Sequence, residues 1–87
     1  MSHYTVVWLA EAKDDLARLW LAASDRSAVT AASAEVDRLL RTDPFAVSHH
    51  VAEGIWKLHV GPLLVYFAVF EADRRIEVTN VIPFLRS

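Results

Sequence analysis

Hydrophobic and polar positions divide the stretch from Trp56 to Phe84 into three segments separated by turn signals. The middle segment, Leu63 to Phe70, has no polar side chain except the Tyr66 hydroxyl, so turning either face to water would expose several large apolar groups. This predicts a strand at the buried centre of a sheet. Before it, Trp56, Leu58 and Val60 alternate with Lys57 and His59, the pattern of a strand with one covered and one wetter face, and Gly61-Pro62 turns the chain between the two. After it comes a charged turn, Glu71 to Arg75. In the last strand Ile76, Val78, Asn80 and Ile82 alternate with Glu77, Thr79, Val81 and Pro83. Pro83 has no N–H to donate, so regular pairing should weaken there.

Upstream, Tyr4 to Trp8 is β-branched and aromatic and reads as a first strand, short and apolar enough to be paired inside the sheet. The period then changes. Leu9, Ala12, Leu16, Leu19, Trp20 and Ala23 recur at helical spacing with charged residues opposite, which predicts an amphipathic helix. Ser24 to Ser27 interrupts it, and either Asp25 or Ser27 can cap a second helix, whose apolar stripe is Val29, Ala32, Val36, Leu39 and Leu40. Asp43-Pro44 stops this helix, because proline disfavours helical geometry in the residue before it. The short link makes the pair an antiparallel helical hairpin able to cover the sheet. Phe45 to Ile55 is the longest irregular stretch. The pattern as a whole is one α+β domain over residues 1–87, with four strands in the order β-α-α-β-β-β.

Composition changes the picture in two respects. Hydrophobic residues make up 54% of the 87 and the mean hydropathy is +0.25; in so small a domain much of every element faces water, so the surplus predicts an apolar patch covered by a partner. Nine Lys and Arg against eleven Asp and Glu give a net charge of −2, so a polyanion would have to be held by a local cluster rather than by bulk charge. Cysteine is absent, which excludes disulfides and thiolate chemistry and suits a reducing cytoplasm. No signal peptide is read at the N-terminus. The longest uncharged run, His59 to Phe70, is shorter than the ~20 residues of a membrane helix, so no membrane partner is expected.

The candidate chemistry is sparse. His49-His50 supplies at most part of a zinc site and reads as solvated loop, so no metal or other cofactor is expected. Arg74-Arg75, flanked by Asp73 and Glu71, reads as a solvated turn rather than a nucleic-acid anchor. Trp8, Trp20 and Trp56 read individually as core residues, any one of which could instead be an exposed anchor.

The element order resembles the RelE/ParE superfamily of type II toxins, also known from plasmid stabilisation systems. The local signals are Ala12-Lys13-Asp14-Asp15-Leu16, similar to an A-x-x-D-L pattern in the first helix, the Asp43-Pro44 break, and Val60-Gly61-Pro62-Leu63-Leu64-Val65-Tyr66, similar to the family's strand signature. The resemblance implies a four-stranded sheet covered by the helical hairpin, with the first strand parallel to the last, at the sheet's centre or edge. It also implies a bacterial cytoplasmic toxin neutralised by a cognate antitoxin. The toxin would either bind DNA gyrase in the ParE manner or, with the ribosome, cleave mRNA in the RelE manner without a metal; self-association is a further possibility.

A RelE-type reaction needs basic groups on the phosphate and an acid/base group at the 2′-hydroxyl and leaving oxygen. Where the resemblance places a strand arginine, this chain has Leu63 or Leu64. Lys57, His59 and Arg86 are the surviving candidates for catalysis, and Trp20, Trp56 and Phe84 for the antitoxin or partner surface. The missing arginine favours action by protein binding, or a degenerate toxin, over a standard nuclease; the alternative is an mRNA interferase with a rearranged site.

Overall fold

In the computed structural model, which describes residues 3–84, the chain forms five strands and two helices. They are β1 (Thr5–Trp8), α1 (Ala10–Ala22), α2 (Arg26–Thr42), β2 (His49–Ala52), β3 (Ile55–Val60), β4 (Leu63–Phe70) and β5 (Arg75–Pro83), with a single 3₁₀ turn, Glu71–Asp73, between the last two. The sheet order is β1-β5-β4-β3-β2, parallel between β1 and β5 and antiparallel elsewhere. β4 is therefore the central strand, as its unbroken apolar run requires.

Two expectations are corrected. The sheet has five strands rather than four, because the stretch read as irregular contains β2, a short edge strand exposed along its whole length. Its residues His49-His50-Val51-Ala52 show no burial alternation, which is why the pattern did not reveal it. β1 also lies at an edge rather than inside the sheet. Val6, and Tyr4 just before the strand, belong to the buried core beneath the helices, while Val7 faces outward and is exposed.

The helices cover one face of the sheet. On that face Leu58, Leu63, Val65, Phe67, Ile76, Val78 and Val81 meet Ala12 from α1 and Val29, Ala32, Val36 and Leu40 from α2, all buried. α1 lies against β5, while α2 crosses from β1 to β3. Asp25 caps α2, its carboxylate accepting the Ala28 N–H at 3.1 Å. Its hydrogen bonds from the Ser27 hydroxyl and the Ala28 amide hold its carboxyl below the ordinary range.

The alternation expected for the last strand fails at one point. Tyr66 pairs with Asn80 but Phe67 pairs with Val78, so Thr79 is an extra residue in the ladder. This bulge shifts the phase by one, burying Val81 and exposing Ile82. Beyond Trp8, β1 no longer flanks β5, and Asp15 of α1 accepts the Val81 N–H at 3.1 Å in place of a strand.

Candidate functional site

The uncovered face of the sheet carries the other half of each strand. Across it the register brings His49, Lys57, Tyr66 and Asn80 into one row, each on a different strand: His49 opposite Lys57, Lys57 opposite Tyr66, Tyr66 opposite Asn80. Directly paired residues on one face have Cβ atoms about 4.5–5.5 Å apart, so each side chain in the row adjoins the next. The next row is His59, Leu64 and Ile82. Lys57 and Tyr66 are half-buried, and among the described residues neither side chain has a hydrogen-bonding or ion-pair partner.

The predicted catalytic residues do not stand equal in this arrangement. Lys57 sits at the middle of the polar row. His59 lies on the same face two residues on, but its ring is occupied: Nε2 is 2.8 Å from the Gly61 carbonyl oxygen and the imidazole stacks on Phe84 with centroids 3.7 Å apart at 30°. The Phe84 N–H donates to the Pro62 carbonyl at 2.9 Å, so the ring pair fastens the end of β5 to the Gly61-Pro62 turn, where Gly61 has φ of +53°. Arg86 lies outside the described residues.

The other cations of the sheet are committed to acids. Arg75 lies over the Phe70 ring at 4.7 Å and pairs with Glu77 at 3.2 Å and Asp73 at 3.5 Å. Arg74, in a left-handed conformation at the turn, pairs with Glu71 at 2.9 Å and lies over the Tyr4 ring at 4.1 Å. Tyr4 is buried and donates to Glu71 at 2.7 Å; burial first, then that hydrogen bond to a carboxylate, holds its phenol above the ordinary value.

His49 and His50 occupy consecutive strand positions and so point to opposite sides. His50 packs edge-on against Trp56 with centroids 5.0 Å apart, while His49 joins the row beside Lys57. The two imidazoles cannot chelate one ion together. Among the described residues no group of three or more histidine or acidic side chains is placed to hold a metal, and no helix is long and apolar enough to cross a membrane.

The residues assigned to a partner surface lie in three places. Trp56 is half-buried at the margin of the core, stacked on Phe45 at 4.7 Å. Phe84, 36% exposed, sits with His59. Trp20, 39% exposed, lines a groove of about 830 Å³ bounded by α1, α2 and β1, where its Nε1 donates to the Thr30 hydroxyl at 3.2 Å and Arg26 lies over the ring.

Sequence reasoning missed Tyr66 and His49 as neighbours of Lys57. The first was recoverable: a two-residue turn pairs Val60 with Leu63, and hence Lys57 with Tyr66. Nothing in the pattern around His49 signalled that it belongs to a strand.

The architecture is thus a mostly antiparallel sheet with one parallel edge strand, covered on one face by two helices. One chain of the crystal structure of the toxin-antitoxin complex RelBE2 from Mycobacterium tuberculosis matches with a TM-score of 0.77 at 18% identity, over 94% of this chain and 99% of that one. At that identity the likeness establishes the fold. No family model matches the sequence, and neither does any curated protein.

Proposed function

We propose that the chain is the toxin, or toxin-like, half of a type II toxin-antitoxin module and that it acts by binding a protein, DNA gyrase in the ParE manner, rather than by cutting RNA. The observation that carries this reading is the charge on the uncovered sheet face. Phosphoryl chemistry without a metal relies on several cations aimed at one phosphate. Among the described residues, Lys57 is the one lysine or arginine of that face without an acidic partner, and its neighbouring row holds Leu64 and Ile82. The exposed Phe70, Ile82 and Val7 on the same side of the sheet suit a protein partner better than a nucleic-acid backbone. Inducing the chain in a bacterium without its neighbouring reading frames should arrest growth and raise the DNA-damage response while transcripts stay intact; arrest with undisturbed replication sinks the gyrase target.

A second reading is supported by the polar row itself. Lys57 flanked by the Tyr66 phenol and the His49 imidazole places a cation between two groups able to move a proton, the minimum for an mRNA interferase with a rearranged site. If Lys57→Ala and Tyr66→Phe both leave toxicity unchanged, that reading is to be abandoned. A module component that has lost its toxicity but still binds its antitoxin would arrest nothing and yet co-purify with the neighbouring frame's product.

A further inference from the structure

Two apolar strips frame the polar row of the uncovered face. On one side of it stand Leu64 and Ile82, the latter 41% exposed, and on the other Ala68 and Ile55, paired across β4 and β3. Alternate residues of a strand are about 7 Å apart, so each strip lies about that far from the row of His49, Lys57, Tyr66 and Asn80. The row itself contains no acid. The acid of the neighbouring row is Glu77, opposite Ala68, and Arg75 already holds it at 3.2 Å. Lys57 is therefore a lone, half-buried cation with a phenol hydroxyl beside it, and among the described residues no carboxylate meets it. An ammonium held in this way, partly desolvated and with its neighbours already placed, has more to gain from an incoming anion than a fully solvated surface lysine.

We propose that this face holds its target protein through one carboxylate. An aspartate or glutamate side chain of the target sets against Lys57 and the Tyr66 hydroxyl, while apolar side chains on either side of it cover Leu64 and Ile82 and cover Ala68 and Ile55. The target's contact surface then reads apolar, acidic, apolar at spacings of about 7 Å. A polynucleotide fits less well, since the phosphates before and after the one at Lys57 would lie over the apolar strips, where an anion is desolvated and left unpaired. A second copy of this chain fits less well too, because the acid that its own uncovered strands offer, Glu77, is held by Arg75. The proposal names the partner chemistry of the protein-binding face and rests on that reading of it.

The test is binding of the full chain to purified DNA gyrase, followed by treatment of the complex with a carbodiimide, which joins an amine to a carboxylate in contact with it as an amide. Mass spectrometry of the digest should find the Lys57 side chain linked to an aspartate or glutamate of gyrase. Lys57→Met keeps the stem and removes the charge. It should weaken binding about tenfold at low salt and much less at high salt, with the melting temperature of the free chain unaltered, whereas Lys57→Arg should stay within about threefold of wild type. Strong induction in a cell offsets a loss of that size, so the purified complex is the readout. A complex of full affinity for Lys57→Met, or one in which Lys57 is never cross-linked, overturns the proposal and leaves the protein-binding reading intact. Absence of any complex with gyrase overturns both. Displacement of gyrase by a single-stranded RNA that Lys57→Met no longer binds gives the row to phosphate and overturns the proposal.

Discussion

The two faces of this sheet are built from the same strands and obey different rules. On the helix-covered side Leu58, Leu63, Val65, Phe67, Ile76 and Val78 are sealed from water, and the small Ala12 and Ala32 let the helices come close. On the other side the alternate residues Lys57, His59, Leu64, Tyr66 and Ile82 stand partly or wholly exposed, with no layer over them among the described residues. Hydrophobic burial fixes the first set, since a polar or undersized side chain there costs transfer and cavity energy together. Nothing in the folding of the chain demands the second set. Its identity is free to vary without loss of the fold.

That contrast can be broken most easily from the covered side. Phe67→Ala should cost about 3–5 kcal/mol, enough to unfold a domain of this size, whereas Leu64→Ala, three residues earlier on β4 and on the uncovered face, should cost no more than about 1 kcal/mol. Urea titrations of both variants measure the gap, and equal costs would mean the uncovered face is sealed in solution. Asp15→Ala comes next. It strands the buried Val81 N–H where β1 has already ended, at about 1–3 kcal/mol, although Asp15 lies on a helix and looks dispensable from its exposed ion pair with Arg18.

Tyr4→Phe should cost about 1 kcal/mol at neutral pH by removing the hydrogen bond to Glu71. Because the folded state holds the phenol proton more tightly than the ordinary value of 10.0, that part of the stability is fully present below pH 10 and is lost as the pH rises through the folded value. Denaturation curves of wild type should therefore decline in alkali, and those of Tyr4→Phe should decline less. Asp25 behaves in the opposite sense. Its lowered carboxyl stabilises the α2 cap above the ordinary aspartate range and loses that effect as the solution is acidified through the folded value, a small acid sensitivity that Asp25→Ala should remove from a far-ultraviolet circular dichroism titration.

Much of the covered face was legible in the residues. Of the stripe Val29, Ala32, Val36, Leu39 and Leu40, all but the half-buried Leu39 form the buried side of α2, and the run Leu63 to Phe70 is the central strand, because large apolar groups at regular spacing admit few arrangements. The first-helix pattern acquires a physical meaning: Ala12 is small because it touches the sheet, and Asp15 is acidic because it completes the end of a strand. What escaped was set by pairing rather than by pattern. β2 has no buried side, so no alternation marked it, and the Thr79 bulge is visible only once β4 and β5 are aligned. The polar row on the uncovered face is likewise a product of register. His49 and Asn80 come beside Lys57 and Tyr66 from segments far away in sequence.

The most direct test of the central claim, that this face binds a protein rather than processes RNA, is to induce wild type and Lys57→Ala in a bacterium lacking the neighbouring frames and to map transcript ends alongside growth. The account predicts that both arrest growth and that transcripts remain whole in each. Transcripts cut by wild type and spared by Lys57→Ala would contradict it.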